Sequence, residues 1–280
     1  MPHFTTQDGR SLHYCDSGGA GPVVLCLAGL TRNHRDFEPL AAHLAPHHRV
    51  LRLDSRGRGL SDRAVDPIAE YTVPVETADA LALIDHLELT RLAIIGTSRG
   101  GILGMAIAAA RPGLVAALVL NDLGALVEAQ GLKRIIGYLG RAPESRDFQG
   151  AARESEAANA AQFPGLTAAI WARMARQLYD DDAGRPVLAY DPRLRDAVAA
   201  SFEGEVASVD LWPLFETLTD VPMLVIRGAL SDILTAETLA AMAARHPMLQ
   251  NVTIADRGHA PFLDEPLAIT AIDRILEARL

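Results

Sequence analysis

Leu92-Ala93-Ile94-Ile95-Gly96-Thr97-Ser98-Arg99-Gly100-Gly101 decides the architecture. Leu92 to Ile95 is a short unbroken apolar run, the signature of a strand buried on both faces. Gly100 to Ala110 is small and apolar, which predicts a helix packed on most of its sides. Between them Gly96-Thr97-Ser98-Arg99-Gly100 matches G-x-S-x-G. A serine placed on so tight a strand-to-helix turn has its hydroxyl lifted into open space. Glycine on either side removes the Cβ atoms that would collide there. At ordinary residue frequencies the bare pattern recurs in about one chain in ten of this length. The strand before it and the helix after it give it meaning; without them Ser98 would read as a helix cap.

Outward from this turn, apolar runs and helical periodicity alternate. Strands are predicted over Ser11–Asp16, Val23–Ala28, Arg49–Leu53 and Ala116–Leu120, and helices over Phe37–Leu44 and Pro74–Leu89. Short links between them predict a mostly parallel sheet with helices on both faces. From Gly124 to Asp210 no convincing strand is read. Apolar residues recur there at helical spacing (Leu132, Ile135, Ile136, Leu139; Ile170, Met174, Leu178), and Pro143, Pro164, Gly184-Arg185-Pro186 and Pro192 divide the stretch. The expectation is a helical insertion over 124–210 between core segments 1–123 and 211–280. The alternation resumes with a strand at Val221–Arg227, a helix at Thr235–Arg245, a strand at Val252–Ala255 and a closing helix at Glu265–Leu280.

Composition bounds the function. The chain has 280 residues, nearly half of them hydrophobic, and a net charge of −9. No basic cluster offsets that charge, so nucleic acid is not an expected partner. No apolar run approaches the ~20 residues of a membrane span, and no secretory signal is read at the start, so a cytoplasmic location is expected. Cys15 and Cys26 both fall in predicted strands and read as small buried side chains without a disulfide framework. Neither H-E-x-x-H nor Cys/His ligand spacing is present, and no G-x-G-x-x-G follows a strand, so neither metal nor dinucleotide is implied.

A serine hydroxyl needs a base. In strand–elbow–helix folds the chain order is Ser, acid, His. His259, in Gly258-His259-Ala260 between the last strand and the last helix, fits that place. His246, before Pro247, reads as solvent-facing, and the other histidines come too early. Asp232, after the strand ending at Arg227, is the expected acid that orients the imidazole. Its other reading is a cap for the helix that follows, and Asp122, at the end of Ala116–Leu120, is its rival. The oxyanion would be held by the backbone N–H groups of Leu30 and Arg99. The Arg99 guanidinium has two readings: a fork for a substrate carboxylate, or a partner for a nearby structural acid. Arg32, Asn33 and His34 are expected to rim the pocket. Phe148, Phe163, Trp171, Met174 and Tyr179 are expected mostly in the core of the insertion.

At these residues the chain resembles the α/β-hydrolase superfamily. Besides the elbow, Asp54-Ser55-Arg56-Gly57-Arg58-Gly59-Leu60-Ser61 is similar to the D-x-R-G-x-G-x-S loop of that family. Gly258-His259-Ala260-Pro261 with Asp264-Glu265-Pro266 is similar to its histidine loop and final-helix start. The insertion falls where the family places a cap over the active site. The chain departs from the family in having Ala28-Gly29 where His-Gly is common, and Arg99 where Met or Leu is common. The resemblance implies a cofactor-independent serine hydrolase of a small ester, lactone or β-diketone. Ser98, where haloalkane dehalogenases and epoxide hydrolases of this fold carry Asp, disfavours those two groups. A ligand-sensing protein with little turnover, or a cofactor-free oxygenase or perhydrolase, are the alternative classes.

Overall fold

The computed structural model describes residues 2–202 and 205–280, so Glu203 and Gly204 of the predicted insertion lie outside the described residues. The first half of the chain runs β1 (His3–Thr5), β2 (Ser11–Asp16), β3 (Val23–Leu27), α1 (Glu38–Leu44), β4 (Arg49–Leu53), α2 (Pro67–Glu70), α3 (Val73–His86), β5 (Leu92–Thr97), α4 (Arg99–Ala110) and β6 (Val115–Asn121). Between β6 and the resumption of the core lie β7 (Leu126–Val127), α5 (Ala129–Tyr138), α6 (Phe148–Asn159), α7 (Ala168–Leu178), β8 (Tyr179–Asp182), β9 (Arg185–Leu188), α8 (Leu194–Ala200), β10 (Val209–Asp210) and α9 (Trp212–Glu216). β11 (Met223–Gly228), α10 (Ala236–Arg245), β12 (Leu249–Ile254) and α11 (Pro266–Arg279) complete it.

Among the described residues the central sheet has eight strands in the order β1-β2-β4-β3-β5-β6-β11-β12. The β1-β2 and β2-β4 pairs are antiparallel and the rest of the sheet is parallel. Because side chains alternate along a strand, each parallel strand feeds two cores. Leu25, Leu27, Ile94, Leu118, Leu120 and Val225 pack with α3, α4 and α10 residues such as Leu83, Leu103 and Met242. Val24, Cys26, Ile95, Val119 and Ile226 pack with Leu40 and Leu44 of α1 and Ile272 and Leu276 of α11. This double burial is why these strands read as unbroken apolar runs.

The region between β6 and β11 differs from its sequence reading in two places. β8 and β9 form an antiparallel hairpin, with Tyr179 opposite Leu188 and Asp182 opposite Arg185. Ala183 and Gly184 at its tip have φ of 51° and 89°, the left-handed pair that a tight two-residue hairpin requires. Asp180-Asp181-Asp182 gives a strand without apolar alternation, which is why periodicity missed it. β7 and β10 pair over two residues. Within the helical layer α6 and α7 have a core of their own, in which buried Trp171, Phe163, Ala151 and Ala175 meet Phe148, Met174 and Tyr179, whereas Ile135 of α5 joins the sheet core and Leu194 of α8 packs with Tyr71. This layer is stitched to the core loop after β4: Gly59 N–H donates to Ala189 O (2.8 Å) and Asp191 N–H to Gly57 O (2.7 Å).

Two further expectations are corrected. His246 is buried rather than solvent-facing, its Nε2 3.0 Å from Leu218 O. Cys26 is buried, but Cys15 is only half-buried. Among the described residues no helix is long and apolar enough to cross a membrane.

Among the described glycines, the closest approach is at the elbow. A Cβ on Gly100 would lie 2.0 Å from Leu27 O, and one on Gly96 would lie 2.4 Å from Gly100 O. All these neighbours are backbone and cannot swing aside. Gly100→Ala is therefore expected to destabilise the protein by about 3 kcal/mol or more. Gly137→Ala, in α5 with nothing within 4 Å of the added methyl, is expected to stabilise it by roughly 0.5 kcal/mol. Urea midpoints of the two variants check this; a Gly100→Ala midpoint equal to the parent's would refute the packing argument.

Candidate active site

Ser98 sits between β5 and α4 with φ 52° and ψ −117°. This left-handed backbone is costly for a residue with a side chain and is held by its surroundings. Ser98 N–H donates to Asn121 O (3.0 Å), and Ser98 O accepts from Gly101 N–H (2.8 Å). Its Oγ lies 3.0 Å from His259 Nε2, and His259 Nδ1 lies 2.7 Å from Asp122 Oδ2. With the proton on Nδ1, serine donates to imidazole and imidazole donates to carboxylate.

Asp122 thus takes the place expected of Asp232. It follows β6, the strand between β5 and β11, is fully buried, and has φ 54°. Gly228 N–H donates to Asp122 Oδ1 (2.7 Å) and Ser231 Oγ–H to Oδ2 (2.6 Å). The loop after β11 therefore braces Asp122 instead of supplying the carboxylate that meets His259. Asp232 faces elsewhere: Arg134 of α5 grips both its oxygens, at 2.6 and 2.9 Å. Burial pushes the Asp232 carboxyl up, but the Arg134 hydrogen bonds outweigh it and hold it below the usual carboxylate range. Nor does Asp232 cap α10, whose first turn is capped by Thr235.

Leu30 lies in the turn after β3, closed by Arg32 N–H on Gly29 O at 3.1 Å. In a trans peptide the Leu30 N–H points opposite to that engaged carbonyl. Arg99 is the first residue of α4, where N–H groups have no partner within the helix. The Arg99 side chain does not enter the pocket. Its Nε and Nη2 bind Glu76 at 2.7 and 3.1 Å, and Nη2 also reaches Tyr71 O (3.1 Å). The reading as a substrate fork is overturned in favour of a structural acid, because Glu76 is buried directly beside it.

Ser98 and His259 open onto a cavity of about 480 Å³ reaching under the helical layer, lined by Leu30, Tyr138, Phe163, Met174 and Tyr179 among others. Of the expected rim residues Arg32 lines it, while Asn33 and His34 are buried outside it; Trp171, buried, and Phe148, half-buried, do not line it either. Four guanidiniums line the cavity. Arg32 pairs with Asp36 (2.6 Å), Arg134 with Asp232 (2.6 Å) and Arg173 with Asp264 (2.7 Å). The exposed Arg141 side chain has no carboxylate partner among the described residues.

Among the described residues the one group with metal-ligand spacing is His13, Cys15 and His34, whose ligating atoms lie within 4.8 Å of one another. Asp54 Oδ2 holds Nδ1 of both imidazoles at 2.8 Å, and none of the three residues lines the cavity. Burial pushes the Asp54 carboxyl up, but the His13 and His34 hydrogen bonds more than reverse this and hold it well below the carboxylate range.

Two residues of the site escaped the sequence reading. Asn121 Nδ2–H bonds join Thr97 Oγ1 (3.1 Å) to Pro261 O (2.9 Å), tying the elbow strand to the histidine loop. A polar residue closing the buried run Val115–Leu120 was its signal. Glu76 shares a helical face with Ala80, Leu83 and Ile84, all buried, and a charge on an apolar stripe was a signal too.

A family model described as "alpha/beta hydrolase fold" matches residues 22–266. The 3-hydroxybutyrate-oligomer hydrolase of Cupriavidus necator is 35% identical over 259 residues, covering 88% of this chain and 85% of that protein. The 2-(acetamidomethylene)succinate hydrolase of Mesorhizobium japonicum is 29% identical over 86% of this chain and 82% of its own length. The crystal structure of an alpha/beta hydrolase from Novosphingobium aromaticivorans superposes with a TM-score of 0.91 at 42% identity, covering 99% of this chain and 97% of that one. Fold, elbow geometry and likeness over nearly the whole length agree, and the chain belongs to the alpha/beta hydrolase family.

Proposed function

We propose that the protein hydrolyses the ester bond of a small hydroxy-acid ester bearing a free carboxylate, through an acyl-enzyme on Ser98. The observation that carries this reading is the continuous relay Ser98–His259–Asp122, at 3.0 and 2.7 Å, opening onto the cavity under the helical layer. Ser98 Oγ attacks the ester carbonyl as its proton passes to His259 Nε2, and Asp122 stabilises the imidazolium. The Leu30 and Arg99 amides receive the oxyanion. His259 then protonates the departing alkoxide, the ester C–O bond breaks, and the acyl group stays on Ser98. Water, deprotonated by His259, adds to the acyl carbon; the acyl C–Oγ bond then breaks, His259 returns the proton to Ser98 Oγ, and the acid is released.

The substrate class rests on charge and likeness. A 3-hydroxybutyrate oligomer is joined by ester bonds and ends in a carboxylate, and the relative named for it spans nearly the whole chain. The other three cavity guanidiniums are matched by carboxylates, which leaves Arg141 as the cation with charge to offer.

A fluorophosphonate is expected to label Ser98 alone, with labelling lost in His259→Ala; mass spectrometry of the digest reads it, and an unlabelled, folded protein would sink the reading. Asp122→Asn is expected to lower kcat on the order of 10³–10⁴-fold, whereas Asp232→Asn stays within about tenfold of the parent. Equal losses in the two would restore Asp232 as the acid. Arg141→Gln is expected to raise KM about tenfold for a 3-hydroxybutyrate dimer and leave KM for its methyl ester unchanged. Equal shifts for both substrates would remove Arg141 from carboxylate recognition.

A further inference from the structure

Beneath the elbow lies a buried charge cluster that the proposed mechanism does not use. Glu76, in the first turn of α3, has a side chain 1% exposed. Its Oε1 accepts from Arg58 Nη1 (2.8 Å) and Arg99 Nη2 (3.1 Å), and its Oε2 accepts from Arg99 Nε (2.7 Å). Burial pushes this carboxyl up, but the two guanidiniums outweigh burial and keep it ionised below the usual range. Arg58 is as deeply buried as Glu76. Its Nε donates to Leu30 O at 2.8 Å and its Nη1 also to Arg56 O at 2.7 Å. None of Glu76, Arg58 and Arg99 lines the cavity.

One carboxylate therefore reaches, through two guanidiniums, both residues whose amides would face the oxyanion. On one branch Arg58 fixes the Leu30 carbonyl, adjoining the residue's own N–H, while the Arg32 N–H fixes the Gly29 carbonyl on the other side. On the other branch Arg99, next to the strained Ser98, is held at its side chain by Glu76 and Tyr71. Oxyanion donors are effective at about 2.7–3.1 Å from the developing charge, a window only about 0.4 Å wide. A misplacement of about 1 Å costs on the order of 100-fold in rate. A buried ion cluster is dearly desolvated, and this one spans the distance between the two donors.

We infer that Glu76 is a positioning residue that sets the spacing of the Leu30 and Arg99 amides through Arg58 and Arg99. The inference rests on the serine-hydrolase reading above. A trifluoromethyl ketone analogue of the substrate tests it. Ser98 Oγ adds to the ketone carbon, the carbonyl π bond opens to an oxyanion, and the serine proton moves to His259, so its affinity reports the tetrahedral state. An ether analogue, which cannot be attacked, reports ground-state binding.

In Glu76→Gln, kcat and trifluoromethyl ketone affinity are expected to fall together, by about 10–100-fold, while KM and ether affinity stay within about twofold. Glu76→Asp, which keeps the charge, is expected to recover part of both losses. If Glu76→Gln does not fold, Arg99→Met decides, since it leaves Glu76 paired with Arg58; a parallel loss of about tenfold in kcat and ketone affinity is expected. A variant with a lower urea midpoint but an unchanged ratio of ketone to ether affinity would make the cluster merely structural and overturn the inference. Parent protein that neither labels at Ser98 nor binds the ketone would instead remove the hydrolase reading itself, so the two failures are distinct.

Discussion

The constraint on which the rest depends is backbone against backbone at the elbow. Gly100 packs where a Cβ would stand 2.0 Å from Leu27 O and 2.8 Å from Ala28 O. This contact presses α4 onto the end of β3. It also brings the loop after β3 to the serine: a Cβ on Gly29 would meet Ser98 Cβ at 3.8 Å. The approach that allows a left-handed Ser98 thus places Gly29-Leu30 beside it. Parallel pairing of β3 with β5 and of β5 with β6 fixes both sides of that geometry, and Asp122 emerges from the third of these strands.

Around this point the segment from Asp54 to Gly59 acts as an electrostatic hub. Asp54 accepts from His13 and His34, Arg56 pairs with Asp79 (2.6 Å) and reaches Glu70 (3.0 Å), and Arg58 pairs with Glu76. Its backbone meanwhile carries the link to Ala189 and Asp191 of the helical layer. Each buried charge must be matched, because an unmatched one costs several kcal/mol, about 3–5 on removal of a partner. Matching all of them at once leaves little freedom in how the loops after β3 and β4 are arranged.

The alternating core was legible because burial on both sheet faces writes an unbroken apolar run into each parallel strand, and Ser98 and His259 were legible because elbow and loop order are local patterns. The acid was not. Asp122 and Asp232 each follow a strand, and what separates them is side-chain direction. Asp122 has φ 54° and turns its carboxylate to His259, while Arg134, distant in sequence, claims Asp232. Arg99 posed the same difficulty, since its partner Glu76 lies 23 positions away. The β8–β9 hairpin stayed hidden for another reason: an exposed strand of aspartates, held by its turn, carries no burial pattern to read.

Within the helical layer α6 and α7 have an apolar centre of their own around Trp171, while α5 sends Ile135 into the sheet core and Leu139, Tyr190 and Leu194 pack with Ala64 and Tyr71. The part of the roof around Trp171 thus draws its packing from its own two helices. Its interior can be rewritten, and the shape of the chamber beneath it altered, without touching the turn that bears Ser98. Substitutions there can alter what the chamber admits while the elbow stays as it is.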